Sequence, residues 1–117
     1  MVKLLPSPKI IAECGKPVTL NCAVPPTQRE LQIKYMEWYL NSTPLCYVDV
    51  TGNITHHIHN VSDFHCEYNY GQLSLIFEKM KPLESANSVY KCKLQSNKGI
   101  DYIHTKVELQ GQSTFIN

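Results

Sequence analysis

Five cysteines are the residues of this 117-residue chain whose chemistry is most readily interpreted. They stand at Cys14, Cys22, Cys46, Cys66 and Cys92. No two form a Cys-x-x-Cys pair, which disfavours a zinc knuckle or a thioredoxin-like motif. Wide spacing suits disulfides between distant strands, because closing a loop of several tens of residues stabilises the fold by about 4 kcal/mol in the chain-entropy model. The cysteines therefore predict a domain held by disulfides.

Three N-x-S/T sequons crowd into residues 41–62 and begin at Asn41, Asn53 and Asn60. Each alone is a weak signal, because the pattern often arises by chance. Together with the cysteines they favour a secreted or cell-surface chain that is glycosylated at these asparagines. The alternative is a cytosolic protein with unpaired thiols and chance sequons.

The histidines could bind a metal ion, since four of the five fall within residues 56–65. His57 and His59 would project to the same side of an extended segment, where two imidazoles could hold a transition metal. A solvated polar loop between two glycan sites explains the same residues, and we expect that loop and no metal site. His104 stands alone on a predicted strand, where we expect a surface contact and not an acid or base.

No motif in the chain points to catalysis. It contains no Gly-x-Ser-x-Gly, no His-Glu-x-x-His and no Gly-rich phosphate-binding loop. We therefore expect no enzyme activity, no cofactor and no small-molecule substrate.

Composition excludes further classes of protein. Eleven Lys and Arg against ten Asp and Glu leave a net charge of +1, which argues against binding nucleic acid or anionic membranes through bulk charge. An apolar fraction of 43% is enough for a modest core. No apolar run approaches the ~20 residues of a transmembrane helix. Pro6 and Pro8 interrupt the apolar segment that a signal peptide would need.

The elements that must position these residues are predicted to be short strands separated by turns. Apolar residues alternate at 18–24, 35–40, 45–50, 73–77, 89–94 and 101–109. No helical run of useful length appears, so the pattern indicates an all-β sandwich. We interpret 1–110 as one domain and 111–117 as the start of a stalk or linker.

The same alternation places one set of side chains on the outer face of the sheet that carries Trp38 and Cys92. These are Tyr35, Glu37, Tyr39, Tyr47, Lys91, Lys93, Gln95, Tyr102 and His104. Tyrosine is enriched in protein interfaces, since it combines a large apolar ring with a polar tip and few rotamers. The alternative is that tyrosine serves here only for its β propensity. We predict that this face binds a protein ligand.

The order of Cys22, Trp38 and Cys92, with Tyr90 two residues before the last cysteine, resembles the immunoglobulin fold. In that fold the two cysteines join the sheets, the tryptophan packs on the bridge and the tyrosine forms the tyrosine corner. The resemblance therefore implies a disulfide between Cys22 and Cys92. The long separation of the two cysteines is similar to that in variable-type (V-set) domains, which insert extra strands after the tryptophan.

Cys46 and Cys66 resemble the second cysteine pair of the T-cell costimulatory and coinhibitory receptor family, and the segment 89–94 is similar to that family's penultimate strand. The resemblance covers residues 15–109 and implies a disulfide between Cys46 and Cys66. It leaves Cys14 near the surface, either free or linked between chains.

The function implied by this resemblance is that of an extracellular ligand-binding domain on a lymphocyte receptor. Such a receptor is a single-pass membrane protein that binds a protein ligand on another cell. Two alternatives remain open. One is the V domain of a butyrophilin-type costimulatory ligand. The other is a T-cell co-receptor domain that forms a homodimer through the same face and binds a histocompatibility molecule.

Overall fold

The computed structural model describes residues 2–7, 9–27, 30–57, 64–78 and 88–110, and these residues form nine strands. The strands are β1 (Lys9–Glu13), β2 (Val18–Ala23), β3 (Ile33–Leu40), β4 (Thr43–Asp49), β5 (Ile54–His56), β6 (Phe64–Asn69), β7 (Gln72–Phe77), β8 (Ser88–Ser96) and β9 (Gly99–Gln110). Within these ranges, no helix is long and apolar enough to cross a membrane. The predicted stalk at 111–117 lies outside the described residues.

The strands form two sheets that pack as an immunoglobulin-like β-sandwich, as predicted. One sheet has six strands in the order β1-β9-β8-β3-β4-β5, and the other has three in the order β2-β7-β6. Only the β1–β9 pair is parallel among these ladders. Strands β4 and β5 extend the larger sheet beyond β3, on the side away from β8 and β9.

The core lies between the sheets because apolar residues alternate along each strand. On β2, Leu20 and Cys22 are buried, whereas Thr19 and Asn21 are exposed. The largest fully buried side chain is that of Trp38, whose indole Nε1 donates a hydrogen bond of 2.9 Å to a backbone oxygen on β7. That bond satisfies the one polar atom of the indole, so the ring can pack in the core without an unpaired donor.

Two disulfides join the sheets, and both match the predicted pairing. Cys22–Cys92 connects β2 to β8, and Cys46–Cys66 connects β4 to β6. Cys14 is free and partly exposed. Since stable disulfides form in oxidising compartments, the two bridges indicate an extracellular or similar environment.

Predictions for individual core positions have mixed outcomes. Ile103, Thr105 and Val107 are buried as expected, while the side chain of Leu109 lies outside the described residues. Alternation along 45–50 also predicts that Val50 points inward, and this is wrong, because β4 ends at Asp49 and Val50 lies in the following turn.

Tyr90, the expected tyrosine of the corner, is buried. Its burial raises the pKa of the hydroxyl to about 12. The segment 84–86 resembles the element that precedes this tyrosine in variable domains, with two extra residues, and it lies outside the described residues.

Candidate functional site

The outer face of the six-stranded sheet brings together all nine side chains that the sequence predicted there. Residues directly opposite each other in paired strands share a face. One row crosses four strands: Tyr47 is opposite Glu37, Glu37 is opposite Lys93, and Lys93 is opposite Tyr102. The neighbouring rows hold Tyr39, Lys91 and His104 on one side, and Tyr35 and Gln95 on the other. We call these nine residues the tyrosine face.

Glu37 lies on the tyrosine face but is only 4% exposed, so it offers little surface to a ligand. Its carboxylate accepts a hydrogen bond from the Tyr39 hydroxyl, and its Oε2 lies 2.8 Å from His57 Nε2. The ring of Tyr47 lies 4.9 Å from the His57 ring and 5.5 Å from that of Tyr35. A carboxylate enclosed by such rings needs hydrogen-bond partners to be tolerated. Glu37 therefore holds the Tyr39 hydroxyl and the His57 ring in place.

The hydroxyl of Tyr39 is held in its protonated form. Burial is the main reason that its pKa is raised far above the usual value, and the hydrogen bond to the Glu37 carboxylate adds to the shift. Tyr39 can therefore keep donating to Glu37 at any physiological pH, which fixes its ring in the face.

Two lysines lie over the tyrosine rings at the centre of the face. The Lys91 Nζ is 4.8 Å from the Tyr39 ring centroid and 5.3 Å from that of Tyr102, and the Lys93 Nζ is 6.0 Å from the Tyr102 ring centroid. An ammonium group over a ring face is attracted by about 0.5–1 kcal/mol at exposed sites. The contacts join three strands into one patch that is aromatic and positively charged.

Two further residues belong to this surface although the sequence analysis did not include them. Ile100 is opposite Gln95 on the outer face and is 52% exposed. Ile100 alternates with Tyr102 and His104, so its outward position could have been predicted, but it precedes the segment 101–109 in which alternation was recognised. His57 was predicted only as part of a polar loop. Its place beside Glu37 depends on where β5 ends, which no local pattern indicates.

The histidines, considered above as possible metal ligands, have separate surroundings. His56 Nε2 accepts a hydrogen bond from the backbone N–H of Cys66, while His57 contacts Glu37. His65 lies on the smaller sheet between two glutamates, with nitrogen-to-oxygen distances of 3.1 Å and 3.4 Å. In the part of the chain that the structure describes, no three His, Cys, Asp or Glu side chains form a metal site. His59 lies outside that part.

The sequons can be located for two of the three predicted glycosylation sites. Asn41 is exposed in the turn between β3 and β4, and Asn53 is exposed immediately before β5. The position of Asn53 after the strand at 45–50 predicts that it leads toward the opposite sheet, and this is wrong, because β5 pairs with β4 in the same sheet. A glycan at Asn53 would border the tyrosine face. Asn60 lies outside the described residues.

A groove lies at one end of the sandwich, between the β2–β3 connection and the β6–β7 turn. This groove has a volume of about 520 Å³. It is lined by Val24, Pro25, Pro26, Leu31, Ile33, Tyr68, Tyr70 and Gly71. Its lining residues are mostly apolar in type, but the surface they expose is divided almost evenly between polar and apolar atoms, and Tyr70 at its rim is 99% exposed.

No protein-family model matches the chain, and no curated protein matches it either. The inference of function therefore depends on the fold and on the chemistry of the surfaces described above.

Proposed function

We propose that this chain is the extracellular V-set immunoglobulin domain of a lymphocyte cell-surface receptor of the costimulatory or coinhibitory type. In this proposal it belongs to a single-pass membrane protein and binds a protein ligand on another cell through the tyrosine face. The observation that carries the proposal is the partly exposed patch in which Lys91 and Lys93 lie over the rings of Tyr39 and Tyr102.

Two features of the fold support the variable-type assignment. Strands β4 and β5 extend the sheet beyond β3, as the two additional strands of variable-type domains do. The Cys46–Cys66 bridge occupies the place that the resemblance to costimulatory receptors implied. Both features concern the same sheet that presents the tyrosine face.

The tyrosine face has the properties of a preorganised contact surface. Binding is weakened by the entropy lost when flexible side chains become ordered, so contacts that are fixed before binding give higher affinity. Here the Tyr39 hydroxyl is fixed by Glu37, and the Tyr102 ring is flanked by two ammonium groups. Large aromatic side chains held in this way are typical of binding hot spots.

A binding screen with two tyrosine variants tests the proposal. The tetramerised domain would be used to stain cells that display a library of receptor and ligand ectodomains. We expect Tyr39→Ala and Tyr102→Ala each to weaken binding at least tenfold, since truncating a hot-spot tyrosine costs about 2 kcal/mol or more. Retention of the wild-type melting temperature within a few degrees would show that the fold survives.

The control requires an exposed tyrosine elsewhere on the molecule. Alternation suggested Ser74, on the outer face of the smaller sheet, but Ser74 is only 9% exposed and donates a 2.8 Å hydrogen bond to Asn21. Tyr70→Ala is the better match, because it removes the same side chain at the rim of the groove. Normal binding by both face variants together with loss of binding by Tyr70→Ala would contradict the proposal. A homodimer that buries Tyr39 would favour the co-receptor alternative.

A further inference from the structure

We infer that the partner presents an acidic protein surface to the tyrosine face, and that the face does not pair with a second copy of itself. This inference rests on the proposed function and specifies the chemistry of the partner.

The accessible charge at the centre of the face is positive. Among the described residues, the carboxylate at this centre is that of Glu37, which is 4% exposed and is engaged by Tyr39 and His57. The lysines opposite and beside it, Lys93 and Lys91, lie over tyrosine rings. The ion pairs between described residues do not involve either lysine.

Further carboxylates lie at the margins of this side of the sheet, and one of them is Glu13 at the end of β1, which lies 2.8 Å from Lys16. Asp49, at the end of β4, accepts a 2.9 Å hydrogen bond from the backbone N–H of Thr51. Glu108 on β9 lies 3.1 Å from Lys9 and 3.8 Å from Lys106. None of these carboxylates reduces the positive charge at the centre of the face, where Lys91 and Lys93 lie.

The ring contacts leave the lysines able to bind carboxylates. An ammonium group has three donors, and a ring face below it does not use them all. Tyr102 and Ile100 beside them are 45% and 52% exposed, which provides apolar area around the charges. The complementary surface therefore has Asp or Glu side chains set among apolar ones.

The same charges oppose pairing between two copies of the face. A two-fold symmetric interface places the same patch on both subunits. If the two-fold axis passes through the centre of the face, Lys91 and Lys93 of one copy lie close to the same lysines of the other, and like charges brought together in an interface cost several kcal/mol. The buried Glu37 is already engaged and cannot compensate for them.

An anionic glycan fits the face less well than an acidic protein does. Binding to a polyanion depends mainly on a large basic excess, whereas this chain has a net charge of only +1. The exposed tyrosine and isoleucine add apolar area that a sulfated glycan would leave largely unused. Tight binding of an anionic glycan would therefore contradict the inference of an acidic protein partner.

The probe is a random twelve-residue peptide library displayed on phage and panned on the wild-type domain. We expect selected peptides to combine Asp or Glu with aromatic or aliphatic residues. Synthetic copies should lose about tenfold or more in affinity toward K91E and toward K93E, and should bind more weakly at high salt. K16E is the matched control, because Lys16 is an exposed lysine in the β1–β2 turn with a 2.8 Å ion pair to Glu13.

Several results would overturn the inference. Peptides without acidic enrichment would do so, as would acidic peptides that bind K91E and K93E as tightly as they bind K16E. Tighter binding of heparin fragments than of any peptide would favour a glycan. If the wild-type domain is a dimer in sedimentation equilibrium and the Tyr102→Ala variant is a monomer, the face pairs with a second copy of itself. If the alanine variants of Tyr39 and Tyr102 lose cell staining while K93E stains normally, the proposed function stands and only this inference fails.

Discussion

Glu37 and Lys93 occupy opposite positions in one row of the sheet, yet only the lysine remains accessible. Alternation along a strand determines which face a side chain shares, but not how deeply its neighbours cover it. Glu37 is covered because aromatic side chains and His57 surround it. The sequence therefore predicted which residues share the tyrosine face. Which of them stay accessible, like Lys93, and which are buried, like Glu37, depends on packing between strands.

At high pH, buried tyrosines should destabilise the fold. Burial raises the pKa of Tyr90 from 10.0 to about 12, so between these values the unfolded chain loses a proton that the folded chain keeps. Tyr90 alone should therefore lower the free energy of unfolding by about 2 kcal/mol as pH rises from 10 to 12, since one pKa unit corresponds to 1.36 kcal/mol, and the raised pKa of Tyr39 should add to this fall. Urea denaturation across this range measures the loss.

The alkaline effect is assigned to Tyr90 by comparing two hydroxyl deletions. Tyr90→Phe should reduce the dependence on pH, whereas Tyr70→Phe should leave it unchanged because Tyr70 is fully exposed. Both would be made in a Cys14→Ser background, which prevents the free thiol from attacking the disulfides at high pH. Equal slopes for the two variants would contradict the assignment.

At the scale of the elements, each disulfide connects one strand of the larger sheet to one of the smaller. The bridges close loops with sequence separations of 70 and 20 residues. Chain entropy gives stabilisation of about 4 kcal/mol for the longer loop and about 3 kcal/mol for the shorter. We expect C46A/C66A to lower the free energy of unfolding by about 3 kcal/mol and to remain folded, as chemical denaturation would measure.

The two disulfides should also differ in how much each stabilises the fold. C22A/C92A should cost more than C46A/C66A, because its loop is longer and both sulfurs lie fully within the core. If loss of the shorter bridge were the more damaging, the β4–β6 connection would be stabilising the fold through contacts that chain entropy does not describe.

The sequence analysis did not predict strands β1, β5 and β6, and these three differ in how clear their sequence patterns are. In β6, Phe64, Cys66 and Tyr68 alternate with polar residues, so the pattern was present but was overlooked beside the histidine-rich segment. In contrast, β5 has three residues, too few for a period to appear. Strand β1 carries Ile10 and Ile11 in succession and pairs in parallel with β9, almost a full chain length away. No local signal can indicate such a partner.

At the scale of the whole molecule, the sandwich presents two candidate surfaces of different character. The tyrosine face is broad, positively charged and built on paired strands, while the groove near Tyr70 is of mixed polarity and built largely on the connections between strands. Residues on paired strands are held by the ladder on both sides, so their spacing is fixed before a partner arrives. This difference is the reason for assigning ligand binding to the tyrosine face.

The most direct test of this assignment is to block each sheet with an introduced N-glycan. H104N/K106T creates a sequon on the outer face of β9, beside Lys91, and T19N/N21T creates one on the outer face of β2 in the smaller sheet. In both, the two changed positions flank a buried residue and point outward. A glycan is bulky enough to exclude a protein partner from the surface around it.

Staining of ligand-bearing cells by the two glycosylated domains is the deciding measurement, with mass spectrometry verifying that each glycan is attached. The account predicts that H104N/K106T loses staining while T19N/N21T stains as the wild-type domain does. Normal staining by H104N/K106T together with loss by T19N/N21T would contradict the assignment of the tyrosine face.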